Sequence, residues 1–352
     1  MINLRFNYPI SAGQYELVQQ SLNNLPVNTE LLELEPPNGY PQDKEIAALW
    51  LSKPGYAVLP DDVLMACGGH HAVTAISIAT GLANQTVIVD AYTYNGFISI
   101  AALLKITLVA CPMDAEGMLP QELEQLIAAH NAKAIYLTPT IHNPLAFTMP
   151  LQRRQQIVEV ARKHDVLIID DDAYGFLDAD APLSFAHLAP ERAFYIYSFA
   201  KPFAPGIKLS YIIVPQQWRN AVSGTIRVTS SGPISIMIKL VNEWISNGQL
   251  QNTIDYKRKQ AAQKQAIVQE YLRNTGYVTQ PSAFHLWLPL PAGKNSWDFS
   301  QALLDRGVDV VPGQAYKIGD IDMPDGIRIA FGSASEDELK AGLQIITELL
   351  NS

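Results

Sequence analysis

Residue types that often carry chemistry cluster in this sequence where apolar runs end. The clusters are Gly68-Gly69-His70-His71, Tyr92 with Tyr94, Asn143-Pro144, Asp170-Asp171-Asp172-Ala173-Tyr174 and Ser198-Phe199-Ala200-Lys201. A glycine turn before a helix can bind phosphate, a lysine amine can act as a nucleophile, and neighbouring carboxylates can hold a metal ion or form a solvated edge. Each cluster alone is better explained as a turn, a packing contact or a surface position. Their shared position at the ends of the runs is what indicates a site.

The apolar runs that precede these clusters are typical of buried strands. Seven runs rich in β-branched and aromatic residues predict strands: VLMACG (63–68), TVIVD (86–90), ITLVAC (106–111), AIYLTP (134–139), VLIIDD (166–171), FYIYSF (194–199) and LSYIIVP (209–215). Helices are predicted over 71–82, 120–130 and 150–164, with Pro120 and Pro150 in first turns. This alternation predicts an α/β fold with a mostly parallel seven-stranded sheet sandwiched by helices. Ligands of such sheets bind beyond the carboxyl ends of the strands, where the polar clusters lie.

The pattern changes after residue 215. Long helices are predicted over 233–247 and 249–274, strands over 285–290, 308–313 and 326–332, and a closing helix over 336–350. Longer helices with fewer strands indicate a smaller α+β domain. The first 40 residues mix signals and contain several prolines, which favours an arm. We therefore expect an arm over 1–40, a large domain over 41–230 and a small domain over 231–352.

Composition excludes several classes of partner. Of 352 residues, 34 are acidic and 25 basic, for a formal net charge of −9, and 48% are hydrophobic. An acidic chain without a long basic run is a poor match for nucleic acid or an anionic membrane. Two cysteines form neither a disulfide framework nor a metal-binding motif. The first residues lack a secretory leader and no long apolar stretch occurs, so a cytoplasmic protein without a metal is expected.

Eight strings, in this order, resemble the fold-type I, pyridoxal-phosphate-dependent aminotransferases of class I and II. They run from about residue 60 to residue 332: ACGGHHAV, VDAYTYNGF, TPTIHNPLAFT, IIDDDAYGFL, YSFAKPFAPGIKLSYIIVP, FHLWLPLP, VVPGQAY and GIRIAFG. The resemblance implies pyridoxal 5′-phosphate as the cofactor. It also implies a ping-pong transfer of an amino group from an L-amino acid to a 2-oxo acid, in a homodimer whose arm closes over the site.

The resemblance assigns the catalytic roles to three residues. Lys201 would form the Schiff base with the cofactor and then move the substrate Cα proton as base and acid. Asp171 would pair with the pyridine nitrogen and keep it protonated. Tyr94 would stack on the pyridine ring, with Tyr92 as the fallback. The register among Asp170, Asp171 and Asp172 stays open from the sequence.

The remaining site residues are implied to bind the cofactor's substituents and the substrate. Tyr174 and Asn143 would bond the ring oxygen, and Arg328 with Asn143 would bind the substrate α-carboxylate. Four residues would hold the phosphate: Gly69, His70 (through its backbone), Ser198 and Lys208. Lys208 stands where the family commonly has arginine, so a point charge replaces a bidentate donor.

Several alternatives stay open. The same fold hosts decarboxylases and lyases, such as those resembling threonine-phosphate decarboxylases, because fold does not decide the reaction. A non-catalytic pyridoxal-phosphate-binding module is a remote alternative, since no basic patch or winged-helix segment precedes residue 60. His142 and His285 are either core residues or pocket residues. The segments Tyr8–Ile10 and Asn38–Tyr40 are expected to line the pocket.

Overall fold

The structure is a computed structural model that describes residues 1–26, 29–33, 36, 39–320 and 323–351. Asn38, which was expected near the pocket, lies outside the described residues. The described residues form fourteen strands. The strands are β1 (Ile2–Asn3), β2 (Val63–Ala66), β3 (Thr86–Asp90), β4 (Thr107–Cys111), β5 (Met113–Asp114), β6 (Gly117–Met118), β7 (Ala134–Leu137), β8 (Leu167–Asp172), β9 (Ala193–Ser198), β10 (Ser210–Ile213), β11 (His285–Pro289), β12 (Val308–Asp309), β13 (Val311–Pro312) and β14 (Gly326–Ala330).

Helices separate most of these strands. They are α1 (Gln14–Asn24), α2 (Pro41–Leu51), α3 (Gly69–Ala79), α4 (Asn95–Leu104), α5 (Pro120–His130), α6 (Leu151–Lys163), α7 (Phe185–Leu188), α8 (Arg219–Ser230), α9 (Ser235–Ser246), α10 (Gln249–Leu272), α11 (Ser296–Asp305) and α12 (Glu336–Leu350). None of these helices, within the described part of the chain, is both long and apolar enough to span a bilayer.

The central sheet confirms the predicted α/β fold. Its order is β2-β10-β9-β8-β7-β3-β4, and every pair is parallel except those that β10 makes with β2 and β9. Neighbouring residues of one strand, such as Val63 and Leu64, belong to two different buried clusters, so both faces of the sheet are covered. Burial on both faces explains why the strands are apolar runs rather than alternating ones.

Some predicted elements differ from the observed ones at their ends, and one predicted strand is split. The helix predicted from residue 71 begins at Gly69, and Pro150 immediately precedes α6 instead of lying within its first turn. The run 308–313 forms two strands, because β12 pairs with β1 whereas β13 pairs with β14. One predicted strand therefore serves two sheets.

A second, three-stranded sheet carries the C-terminal part of the chain. Its order is β11-β14-β13, and α10 packs against α12 beside it. The N-terminal segment joins this region: β1 runs parallel to β12, and the Leu4 carbonyl accepts a hydrogen bond from the Ala330 amide at 2.7 Å. The start of the chain is thereby fixed next to β14. The domain limits at residues 40 and 230 stay a prediction.

Trp244 links α9 to the loop after β9. It is fully buried, stacks on Phe203 with ring centroids 3.9 Å apart, and its indole N–H donates to Ser21 at 2.8 Å. We predict that Trp244→Ala lowers the free energy of unfolding by about 3–5 kcal/mol, because it leaves a large cavity. Urea unfolding measures this change. Trp297→Ala is the control, since Trp297 is 54% exposed, and should change stability by less than about 0.5 kcal/mol; equal losses would contradict the packing argument.

Candidate active site

One cavity at the carboxyl ends of the central strands brings together the ten residues proposed from the sequence. Its volume is ≈ 300 Å³, at the small end of the range for pockets that bind small molecules. The ten lining residues are Gly69, His70, Tyr94, Asn143, Asp171, Tyr174, Ser198, Lys201, Lys208 and Arg328. Residues 5–8 of the N-terminal segment complete the wall. Side chains more than 250 positions apart in the sequence thus face one another.

The aspartate run at the end of β8 places Asp171 in the cavity wall. Successive side chains of a strand point to opposite faces, so Asp170 and Asp172 lie on the other face. Asp170 accepts a hydrogen bond from the Phe185 amide at 3.0 Å, and Asp172 accepts one from the Tyr195 hydroxyl at 2.8 Å. Among the described residues no group of three such side chains could hold a metal ion. Of the three aspartates, Asp171 is the one that lines the cavity.

Tyr136 holds the Asp171 carboxylate in place. Its hydroxyl donates to Asp171 Oδ2 at 2.7 Å, and its ring stacks on Phe97 at a centroid distance of 3.7 Å. Burial raises the pKa of Asp171 to about 6, and the Tyr136 hydrogen bond opposes that rise. The Tyr136 hydroxyl therefore favours the ionised form of this buried carboxylate.

The Lys201 amine is enclosed by the N-terminal segment. Its Nζ donates to the Asn7 carbonyl at 2.8 Å and lies 3.5 Å from the ring centroid of Tyr8. The ring of Tyr174 is further away, at 5.7 Å. Tyr8 was expected from the sequence to line the pocket, and the structure places it over the lysine.

The surroundings of Lys201 favour its neutral form. Burial holds the pKa of this amine well below its usual range, and the charges of Arg328, Lys257 and Lys208 lower it further. Removing water penalises the ammonium, and nearby positive charges repel it. A neutral amine has a free lone pair, so Lys201 can act as a nucleophile at a pH where an exposed lysine cannot.

Arg328, on β14, reaches the cavity beside Asn143. Its Nη1 donates to Asn143 Oδ1 at 3.0 Å and its Nη2 donates to the Arg5 carbonyl at 2.5 Å. Its Nε is buried and has no hydrogen-bond partner among the described residues. The guanidinium also lies over the Tyr316 ring, at 5.4 Å. These contacts fix a planar, cationic donor whose geometry suits a carboxylate.

Asn7 directs the hydroxyl of Tyr174. The Asn7 Nδ2 donates to Tyr174 Oη at 3.1 Å and lies 3.5 Å from His285 Nδ1. His285 Nε2 is 3.0 Å from the His142 carbonyl, and burial lowers the pKa of His285 to about 3, so its neutral ring donates there. Because Tyr174 accepts from Asn7, its own proton remains for a ligand. His142 and His285 lie behind the cavity wall and not in it.

An anion cradle lies at the start of α3. Gly68 has φ 88°, a left-handed conformation that favours glycine. A Cβ on Gly69 would lie 3.7 Å from the Ser198 hydroxyl, and one on Gly68 would lie 3.9 Å from the Lys208 side chain. A hydroxyl and a cation therefore flank the N-terminus of a helix, where backbone N–H groups attract an anion.

Tyr94, and not Tyr92, faces the cavity. Tyr92 is buried, and its hydroxyl donates to the Pro324 carbonyl at 3.2 Å, away from the site. Tyr94 Oη lies 2.8 Å from His70 Nε2. His70 was expected to contribute only its backbone, but its ring is also engaged, because α3 turns that side chain toward Tyr94.

Three residues that make hydrogen bonds to the proposed site residues were not predicted from the sequence. Asn7 and Arg5 belong to a short N-terminal segment in which no periodic pattern occurs. Tyr136 lies within an apolar run, where a tyrosine is most simply explained by packing. For Tyr136, a signal was present: a buried tyrosine hydroxyl needs a partner, and the neighbouring strand β8 ends in three aspartates.

Comparison with known proteins places the chain in a family. The family model described as aminotransferase class I and II matches residues 12–346. The chain belongs to this family. It is accordingly an enzyme of the transaminase type, and its cofactor is pyridoxal 5′-phosphate.

Curated relatives of this aminotransferase carry two kinds of name. The uncharacterized HTH-type transcriptional regulator YdeF of Bacillus subtilis (strain 168) is 25% identical over 309 residues, which cover 88% of this chain and 67% of that protein. The 2-aminoadipate transaminase of Thermus thermophilus is 24% identical over 293 residues, covering 80% of this chain and 72% of the relative.

Solved structures share the fold at low sequence identity. An archaeal alanine:glyoxylate aminotransferase superposes with a TM-score of 0.89 and 22% identity, over 100% of this chain and 91% of that one. The α-aminoadipate aminotransferase LysN of Thermus thermophilus, complexed with N-(5′-phosphopyridoxyl)-L-leucine, gives a TM-score of 0.84 and 18% identity, over 100% and 92%.

The cavity's donor set fits pyridoxal 5′-phosphate. The cofactor carries an aldehyde, a pyridine nitrogen, a ring oxygen and a phosphate. The cavity offers a neutral amine on Lys201, a carboxylate on Asp171, a hydroxyl proton on Tyr174 and a cationic cradle beside Lys208. Each group of the cofactor therefore finds a chemically matched partner.

The Tyr136 hydroxyl gives a testable pH dependence. Tyr136→Phe removes the donor that lowers the pKa of Asp171, so that pKa should rise above about 6. The pH below which the protein loses its cofactor on gel filtration should move upward by about one unit, the equivalent of one charge-assisted hydrogen bond. Tyr195→Phe, the control, removes the matching bond to Asp172 on the other face and should leave this pH unchanged. The same pH limit in Tyr136→Phe and the unmutated protein would refute the assignment.

Proposed function

We propose that this aminotransferase moves an amino group from an L-amino acid to a 2-oxo acid by a ping-pong mechanism, with Lys201 as the catalytic residue. The observation that carries the proposal is the enclosed Lys201 amine with its lowered pKa, in one cavity with Asp171 and Arg328. A nucleophilic amine, a buried carboxylate and an anion-binding guanidinium are the three groups that such a transfer needs.

Lys201 binds the cofactor and moves the proton. When bound, pyridoxal phosphate supplies an electron-withdrawing ring that stabilises negative charge next to the substrate Cα. The Lys201 amine would take the proton from that carbon and return it to the cofactor carbon C4′, two atoms away. Because burial and neighbouring cations lower its pKa, the amine is more readily available as a base than an exposed lysine. The Asn7 carbonyl and the Tyr8 ring keep it within the cavity.

Asp171 would hold a proton on the ring nitrogen of the bound cofactor. Tyr136 orients this carboxylate and favours its ionised form through a 2.7 Å hydrogen bond. Tyr174 would donate to the ring oxygen, since Asn7 already donates to the Tyr174 hydroxyl oxygen. Tyr94 would cover a face of the ring. Together these residues would hold the cofactor in the cavity.

Two anionic groups remain to be bound, the substrate α-carboxylate and the cofactor phosphate. Arg328 binds the substrate α-carboxylate, and Asn143 fixes the guanidinium plane through the 3.0 Å bond to Nη1. Gly69 and His70, at the start of α3, would hold the cofactor phosphate through their backbone N–H groups. Ser198 and Lys208 would add a hydroxyl and a positive charge.

We infer a homodimer in which the arm contributes to the site. Residues 5–8 already line the cavity. Large apolar side chains of the arm and of α8 are exposed: Ile10 by 69%, Tyr15 by 76% and Val228 by 88%. These side chains would be covered at the interface of the inferred dimer. The proposed units are an arm over 1–40, a cofactor domain over 41–230 and a small domain over 231–352.

A second candidate is ligand sensing without turnover. The observation that favours it is the set of relatives named as uncharacterized HTH-type transcriptional regulators. In that case the same cavity would bind cofactor and an amino acid but release no product. A decarboxylase or lyase on the same site is the other alternative, and it would release carbon dioxide or an elimination product without needing a 2-oxo acid.

One experiment separates these functions. We expect that an amino acid added without acceptor converts the cofactor's absorbance to that of pyridoxamine phosphate, and that 2-oxoglutarate or pyruvate restores it. Lys201→Ala should slow this conversion by at least about 10²-fold, the contribution of a positioned base. Lys340→Ala, at an exposed site on α12, should leave the rate unchanged. Carbon dioxide release without an acceptor, or bound cofactor without any conversion, would exclude transamination.

A further inference from the structure

Lys257 is a buried cation outside the cavity wall. It lies on α10, its side chain is fully buried, and its Nζ donates to the carbonyls of Lys201 at 3.0 Å and Phe203 at 2.6 Å. No carboxylate in the described part of the chain forms an ion pair with it. Burying an ammonium without a counter-ion is costly, so an apolar side chain of the same size would be the simpler choice for this position.

The acceptors of Lys257 belong to the turn that carries Lys201. This turn follows β9 and has no regular secondary structure, so its carbonyls need partners from elsewhere. Lys257 supplies one partner to Lys201 and one to Phe203, and Gln14 Nε2 adds a second donor to the Phe203 carbonyl at 2.7 Å. The backbone of Lys201 is thus attached to α10 directly, through a charge-assisted hydrogen bond.

A matched lysine on the same helix has different acceptors. Lys264 lies two helical turns after Lys257, is also buried, and donates to the carbonyls of Phe331, Gly332 and Ala334, after β14. Both lysines satisfy turn carbonyls, but only the acceptors of Lys257 include the residue that carries the amine. Comparing the two therefore separates a general packing role from a role toward Lys201.

We propose that Lys257 is a positioning residue for Lys201. It holds the Lys201 carbonyl through a hydrogen bond, and it adds a positive charge to those of Arg328 and Lys208 around the Lys201 amine. This inference rests on the proposed role of Lys201. The hydrogen bond to its carbonyl fixes the backbone of Lys201, and the positive charge of Lys257 disfavours protonation of the Lys201 amine. Both effects favour the neutral, correctly placed amine that the chemistry uses.

The electrostatics of the site agree with this role. The charged groups facing Lys201 are Arg328, Lys208 and Lys257, and each lowers the pKa of its amine. Tyr8 and Tyr174 face it with their rings, and His70 and His285 are the other titratable neighbours. Burial lowers the pKa of Lys257 itself to about 7. Lys257 therefore gains its proton as the pH falls through 7, and its repulsion of a charge on Lys201 is strongest below that pH.

The test is a pH titration of the holoenzyme's absorbance in the absence of substrate. This signal reports the protonation of the nitrogen that joins Lys201 to the cofactor and does not depend on turnover. In Lys257→Met the charge and both hydrogen bonds are lost, so the midpoint should rise, with the proton dissociation constant falling about three- to tenfold. The kcat should fall with KM within about twofold, because the amine and not the substrate site is affected.

Two variants serve as controls. Lys257→Arg retains charge and donors and should restore the midpoint of the unmutated protein, whereas Lys264→Met removes another buried lysine of the same helix and should leave the midpoint unchanged. If Lys257→Met does not fold, Lys257→Gln, which keeps amide donors without the charge, decides through the same titration. An unmoved midpoint in the uncharged Lys257 variant, or an equal shift in Lys264→Met, would overturn the proposal. Failure of the proposed function is distinct, because Lys201→Ala would then retain the same pH-dependent absorbance.

Discussion

The burial of the Lys201 amine is the constraint on which the rest of the site depends. An ammonium removed from water without a carboxylate partner is strongly disfavoured, so the amine favours its neutral form. Lys208 and Arg328, which are proposed to bind the cofactor phosphate and the substrate carboxylate, also lower the pKa of Lys201. In the proposed mechanism, the same two charges therefore serve both binding and nucleophilicity. The Asn7 carbonyl gives the amine its single hydrogen-bond acceptor among the described residues without adding negative charge.

Much of the site could be predicted because the carboxyl ends of parallel strands meet at the same edge of a sheet. The apolar runs indicated the strands, and the polar residues that follow them had to converge at the carboxyl ends. Asp171 lies near the carboxyl end of β8 and Lys201 lies in the turn after the neighbouring strand β9, so their proximity follows from the order of the sheet. The choice among Asp170, Asp171 and Asp172 needed the structure, since it depends on which face of β8 meets the cavity. The resemblance favoured Tyr94 with Tyr92 as the fallback, and the structure places Tyr94 in the cavity wall.

The other parts of the site and fold depend on long-range contacts that no local sequence pattern predicts. Asn7 reaches Tyr174 across 167 positions, and no periodic pattern in its short segment predicts that contact. Lys257 lies in the string KRK, which is typical of a solvated helix face, yet it is fully buried whereas Lys259 is exposed. The run 308–313 was predicted as one strand, and the pairing of its residues divides it between two sheets. In each case tertiary partners override the local signal.

Lys201 is one of several buried lysines, and the proposed mechanism requires that the cofactor is attached to Lys201 and to no other. The sharpest alternative is Lys257, whose pKa is also lowered, to about 7. Borohydride reduction of the holoenzyme fixes the cofactor to its lysine, and peptide mass spectrometry then locates it. We predict that the added mass lies on Lys201 alone. Attachment to Lys257, Lys208 or any other lysine would contradict the account.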